Sequence, residues 1–222
     1  MDATLRHKLL AYLGGAAIAM SSGPAAGAGS ELARVPETII ADLLGEVDEE
    51  CWGAQDLASL AGVLAEDPRR RVRRRAAELL GRADLDISAV ELEPLLERLG
   101  QDEDPAVRRT LARTVARWLG RQTGLERARA VLEWALSDRA AIRRALAGAL
   151  SHGVTALGDD LAIEQLGCDP SPEVRAAVVE AVGRRLQQDP ALYLRLLERL
   201  TSDEAPAVRR SARRAAARLH LS

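Results

Sequence analysis

Phenylalanine is absent from this 222-residue sequence, and three Trp and two Tyr bring the aromatics to only 2%. Runs of β-branched and aromatic residues, the material of sheets, are missing too. The apolar residues are mainly Ala, Leu and Val, which suit closely stacked helices that a large ring would force apart. The expected class is all-α. Only two cysteines occur, Cys51 and Cys168, far apart and without a second Cys or a His at metal-ligand spacing. That excludes a disulfide framework and a zinc site, and both are expected to be buried structural thiols.

Catalytic signatures are missing as well. The histidines His7, His152 and His220 have no acidic or Cys partner placed on the same helical turn. Neither a Gly-rich phosphate loop nor a Gly-x-Ser-x-Gly elbow is present. The sequence therefore predicts no catalytic residue, no metal, no cofactor and no enzymatic activity. Charge of either sign is not in excess, since the formal net charge is −2. Its layout is uneven: residues 1–60 hold three Lys or Arg against nine Asp or Glu.

The N-terminal 30 residues place Arg6, His7 and Lys8 before an apolar run from Leu9 to Met20, followed by small residues. This is the layout of a secretory signal peptide, although Asp2 and Gly14-Gly15 argue against it and Leu5, Leu9, Tyr12 and Leu13 fall at helical spacing. The run is too short to span a membrane. Cytoplasmic location is the leading expectation, with export as the alternative. Residues 31–53 are expected to be a linker and a cap helix starting at Val35-Pro36.

What is present in abundance is a repeat. Asp67-Pro-Arg-Arg-Arg-Val-Arg, Asp104-Pro-Ala-Val-Arg, Asp138-Arg-Ala-Ala-Ile-Arg, Asp169-Pro-Ser-Pro-Glu-Val-Arg and Asp203-Glu-Ala-Pro-Ala-Val-Arg are variants of one phrase. Their anchors Val72, Val107, Ile142, Val174 and Val208 are 35, 35, 32 and 34 residues apart. Apolar residues follow at offsets of 4, 7, 8 and 11, as at Leu111, Val115, Trp118 and Leu119 after Val107, which is one face of a helix. The Asp-Pro element supplies a helix start. A leucine-rich stripe precedes each phrase, and in the second of these Pro94 is expected to kink or restart the helix. The unit is helix A, a tight turn and helix B, repeated over about 54–83, 84–121, 124–153, 158–187 and 190–221.

This phrase and period resemble the HEAT-repeat family, most closely the short HEAT-like repeats of phycobilisome lyases. The resemblance implies a right-handed α-solenoid of about five helical hairpins that serves as scaffold or adaptor and not as catalyst. It also implies a ladder of turn Asp and helix-B Arg, carried here by Asp67 and Arg73, Asp102 and Arg108, Asp169 and Arg175, and Asp203 and Arg209. Such a carboxylate accepts from a helix N-terminus while the guanidinium forks across to the next turn. Arg108→Ala is accordingly expected to leave an Asp unpaired. The third unit departs, with Ser137 in the Asp position and Asp138 one residue late.

The second Arg of the phrase is the best functional signal. Arg74, Arg109, Arg144 and Arg210 recur two positions past the anchor, and Arg113, Arg117, Arg184, Arg185, Arg213, Arg214 and Arg218 follow along the B helices. In the HEAT-like architecture helix B lines the concave surface. The expected function is binding of a partner protein, through an acidic segment, on that surface. Nucleic acid or another polyanion is the alternative, and an accessory enzyme subunit a second one. Trp52, within an acidic stretch, is expected as an exposed contact, while Trp118 and Trp134 follow the core periodicity.

Overall fold

In the computed structural model the described residues are 54–81, 87–153, 155–186 and 190–219. They form ten α-helices and, among the described residues, no strand. The A helices are α1 (Ala54–Ala65), α3 (Ala89–Gly100), α5 (Gly124–Ala135), α7 (Asp159–Gly167) and α9 (Pro190–Thr201). Alternating with them are the B helices α2 (Arg70–Leu79), α4 (Pro105–Arg121), α6 (Ala140–Leu150), α8 (Pro172–Arg185) and α10 (Pro206–Leu219). The expected N-terminal segment and cap helix, and Trp52 and Cys51 with them, lie outside the described residues.

Two compact units divide between Thr110 and Leu111. In the first, α1 packs on α2 and α3. Its core joins Leu57, Leu60 and Leu64 to Val72, Ala76 and Leu79 and to Leu92, Leu96 and Leu99, all at most 4% exposed. Burial of this kind contributes about 1.5–3 kcal/mol for each large side chain. Ser88 starts α3 with a reciprocal capping box: its Oγ accepts from the Glu91 amide at 3.3 Å, and its own amide donates to Glu91 at 2.9 Å. The restart expected at Pro94 does not occur, since α3 runs through that residue without a break. Pro94 and Val90, whose carbonyl the missing N–H would have met, both lie on the exposed side. A carbonyl on that side is open to hydration, so the helix gives up one hydrogen bond and continues.

In the second unit α8 packs on both α6 and α10, while α7 packs on both α5 and α9. B helices therefore stack on B helices and A helices on A helices. Small residues permit it. A Cβ at Gly148 of α6 would come within 3.0 Å of the Ala112 Cβ on α4, so glycine lets the two backbones approach. Gly158, with φ of 89°, turns the chain into α7 beside Ala128 and Leu132 of α5. Trp118 and Trp134 are 5% and 1% exposed and pack on each other, with ring centroids 5.3 Å apart and planes tilted by 33°. The anchors Val72, Val107, Ile142, Val174 and Val208 are at most 1% exposed.

Candidate functional site

What positions the B helices is a set of hydrogen bonds at their starts. Each turn Asp accepts the amide two residues on: Arg69 to Asp67, Asp104 to Asp102, Ser171 to Asp169 and Ala205 to Asp203, each at 2.8 Å. The carboxylate thus closes the turn before the helix instead of capping its first helical amides, because it lies two residues outside. At α4 a side-chain cap follows, where Asp104 accepts from the Ala106 amide at 2.7 Å.

The phrase arginine makes two kinds of contact. To its own turn it donates to backbone: Arg73 to the carbonyls of Asp67 at 3.0 Å and Pro68 at 2.8 Å, Arg175 to those of Asp169 at 2.7 Å and Pro170 at 3.1 Å. Arg209 likewise reaches the carbonyls of Asp203 and Glu204, both at 2.7 Å. To the following turn it forks onto a carboxylate. Arg73 meets Asp102 at 2.5 and 3.1 Å, Arg143 meets Asp169 at 2.6 and 3.1 Å, and Arg175 meets Asp203 at 2.7 and 2.9 Å. The Arg and Asp six residues apart are therefore joined through the backbone carbonyl, and the ion pair runs to the next unit.

Two rungs differ. In the third turn the Ser137 hydroxyl takes the amide of Arg139 at 3.2 Å, standing in for the missing carboxylate, and Arg143 still reaches the Ser137 carbonyl at 2.7 Å. Asp138 points away with its side chain 95% exposed. Arg108 donates to the carbonyls of Asp102 and Glu103, and among the described residues it has no carboxylate partner. The expectation that Arg108→Ala strands an aspartate is thus corrected; Arg73, Arg143 and Arg175 hold that position.

The ion pairs set carboxylate acidity. Burial opposes the charge on Asp102, but the Arg73 hydrogen bond, the Asp104 amide and the charges of Arg73 and Arg98 outweigh it, so its pKa falls below the ordinary value. The Arg175 hydrogen bond, with the Ala205 amide and the charges of Arg175 and Arg209, lowers Asp203 against its burial. A carboxyl depressed in the folded state stabilises the fold above its unfolded pKa of about 3.9 and loses that stability as pH falls through the folded value. Urea midpoints should therefore stay level from pH 7 to 5 with respect to these groups and drop below about pH 4. A double Asp102→Asn, Asp203→Asn variant, less stable at pH 7, should lose less on acidification.

The remaining B-helix arginines face outward. Arg109, Arg113, Arg117 and Arg121 recur every fourth residue on α4, all exposed, and α4 carries no Asp or Glu. Four residues of helix rise about 6 Å, so the row is evenly spaced along one side. Arg210, Arg213, Arg214 and Arg218 are exposed on α10, which also lacks acidic residues. Arg74 pairs with Glu78 at 3.0 Å, Arg144 with Glu173 at 2.7 Å and Arg184 with Glu180 at 3.4 Å. Together the B helices carry 20 Arg against three Glu, and the A helices five Arg against ten Asp or Glu. Exposed at the end of α6, His152 donates its amide to the Ala149 carbonyl at 2.9 Å. Partial burial and the charges of Arg184 and Arg113 push its pKa below the usual histidine value, against a smaller pull from Glu180.

Arg185 departs from the arginine row. It turns inward, its side chain 4% exposed, and donates to Asp159 at 2.8 Å. The same carboxylate, 0% exposed, takes Arg127 at 2.6 and 3.0 Å and the Ala156 amide at 3.1 Å. Tyr193, 2% exposed, donates to the neighbouring Asp160, and burial together with that bond raises its pKa. This buried cluster joins α5, α7, α8 and α9 and has no counterpart in the repeat phrase. Cys168 also departs from expectation: it is exposed, because it follows Gly167 at the outer end of α7.

Among the described residues no group of three His, Cys, Asp or Glu is placed to hold a metal, and no helix is long and apolar enough to cross a membrane. A family model of HEAT repeats matches residues 57–151. Among solved structures, the designed armadillo repeat protein YIII(Dq.V1)4CPAF in complex with the peptide (KR)4 is similar at 15% identity, over 83% of this chain and 95% of that chain, with a TM-score of 0.38. The designed armadillo repeat protein YIII(Dq)4CqI is similar at 14% identity, over 80% of this chain and 97% of that one, with a TM-score of 0.33. No curated protein matches the chain. Residues 57–151 are thus similar to HEAT repeats, and the described residues alternate A and B helices with a recurring turn as an all-α helical repeat.

Proposed function

We propose that the chain is a non-catalytic protein-interaction module whose outward arginines on the B helices, centred on α4, bind an acidic segment of a partner protein. Protein–protein interaction and scaffolding are the general office of the repeat fold; the surface and the charge of its ligand are the finer reading. One observation carries it: α4 presents Arg109, Arg113, Arg117 and Arg121 at every turn without one carboxylate of its own. An acidic helix with carboxylates at every fourth residue repeats at the same interval of about 6 Å, so one ligand charge meets each guanidinium. Arg144, Arg184, Arg210 and Arg214 of the second unit would extend the surface, with Arg144 and Arg184 exchanging their Glu partners for a ligand carboxylate. Evenly spaced guanidinium groups also fit phosphates, which makes a nucleic acid the second reading. Against it, Trp118 and Trp134 are buried on each other and offer no stacking platform.

The test is a titration, by fluorescence anisotropy at about 150 mM salt, of a helical peptide with Glu at every fourth residue and of an oligonucleotide of equal charge. The peptide is expected to bind, and Arg109→Glu, Arg113→Glu and Arg117→Glu together to weaken it by at least about tenfold. Binding should also raise the His152 pKa, read by NMR, because the ligand offsets Arg113 and Arg184. Preference for the oligonucleotide, with a steep loss on added salt, would give the site to polyanions.

A further inference from the structure

The second unit carries an apolar feature on its A helices, on the other layer from the arginine rows. Between α5 and α7 lies a groove of about 420 Å³ lined by Leu132, Ala135, Leu136, Leu161, Ala162 and Cys168, with Glu164 and Gln165 along its edge. Leu136 is 70% and Leu161 65% exposed. Two leucines at one groove, each turned mostly to water, form the kind of patch that a lone exposed leucine does not. The positive φ of Gly158 sets how α7 starts beside α5, at Ala128 and Leu132. The gap between the two helices thus belongs to the backbone course of the repeat.

We propose that this groove is a second docking site, and that it takes the leucine face of a basic amphipathic helix from a partner protein. Its shape calls for apolar side chains at helical spacing, since two neighbouring helices with leucines on both lips can receive a third helix between them. Its charge selects the flanks of that helix. Glu164 of α7 lines the groove, and α7 holds no basic residue. On α5, Arg129 is already engaged by Glu133 at 2.7 Å and adds no net positive charge. Lysines or arginines beside the leucine stripe therefore meet Glu164, whereas glutamates there would be repelled. A second copy of this chain is a poor occupant. Its basic B helices have already buried their apolar faces, as Val208 and Ala212 of α10 at 0% exposure illustrate.

Cys168 gives the site its own reporter. In the full chain with Cys51→Ser, the alkylation rate of Cys168 is followed while an 18-residue Leu/Lys amphipathic peptide is added. The expected result is saturable binding with alkylation slowed at least about fivefold, and loss of both in Leu161→Glu, which alters only an exposed side chain. The same peptide with Lys replaced by Glu should not protect. The Arg109→Glu, Arg113→Glu, Arg117→Glu variant should protect as the unchanged chain does, which separates this site from the arginine surface. Equal protection in Leu161→Glu, or by the Leu/Glu peptide, would overturn the proposal. So would protection that appears without peptide, either as protein concentration rises, which gives the groove to a second copy, or only while residues 1–34 are attached, which gives it to the chain's own N-terminal segment.

Discussion

Asp159→Ala is expected to destabilise the protein by about 3–5 kcal/mol, a large share of the stability of an ordinary domain. Asp159 is fully enclosed and is the shared acceptor of Arg127 and Arg185, which are 7% and 3% exposed. Removing the carboxylate leaves two buried guanidinium groups facing each other across a cavity, with Asp160, 3.6 Å from Arg185, as the remaining nearby counter-charge. Arg185 has no reserve, because its Nη1 is buried without a hydrogen-bond partner and lies 3.6 Å from Asp160. The Ala156 amide loses its acceptor as well. Replacing the whole cluster by apolar residues, with Arg127→Met, Asp159→Leu and Arg185→Met, should recover much of that loss, since desolvation of all three charges is relieved together. Urea melts at pH 7 read both variants. A single mutant as stable as the unchanged protein would show that these charges are solvated in the folded state.

Arg73→Ala should cost about 3 kcal/mol, and Arg74→Ala, its neighbour, less than about 0.5 kcal/mol. Arg73 is the forked partner of Asp102, whose side chain is 1% exposed, and it also serves the carbonyls of Asp67 and Pro68. Without it, a buried carboxylate keeps only the Asp104 amide as its nearby donor. Arg74 pairs with Glu78 on the surface, where water replaces either partner. Arg108 falls between the two: it reaches only carbonyl oxygens, so Arg108→Ala should cost about 1 kcal/mol. Equal urea midpoints for Arg73→Ala and Arg74→Ala would mean that the ladder orders the turns without stabilising them.

The helices were legible because the signal is repeated and local. Five anchors at a near-constant period, each followed by apolar residues at helical offsets, mark the B helices, and Val72, Val107, Ile142, Val174 and Val208 are all enclosed. Pro94 reads as an interruption in a linear sequence, and its harmlessness depends on which side of α3 faces water. The buried cluster was hidden for a related reason. Asp159 is the first of an Asp-Asp pair and Arg185 the second of an Arg-Arg pair, and in each one member points in and the other out. Both pairs look like ordinary surface charge until the helix phase and the neighbouring helices are known. The same phase puts Cys168 outside rather than inside. Along α4, where spacing alone sets the phase, the row of Arg109, Arg113 and Arg117 could be counted off directly, and Arg121 extends it by the same count. The groove between α5 and α7 had no signature, because Leu136 and Leu161 fall in the leucine-rich stripes that precede each phrase, where a leucine reads as core.

The measurement that tests the account most directly is a crosslinked affinity capture from native lysate, run with and without nuclease, using the full chain beside its Arg109→Glu, Arg113→Glu, Arg117→Glu variant. The account predicts a protein, recovered equally after nuclease, whose crosslinks map to α4 and to an acidic stretch of its own, and which is lost with the charge reversal. Recovery that disappears with nuclease, or that survives the charge reversal unchanged, would contradict it.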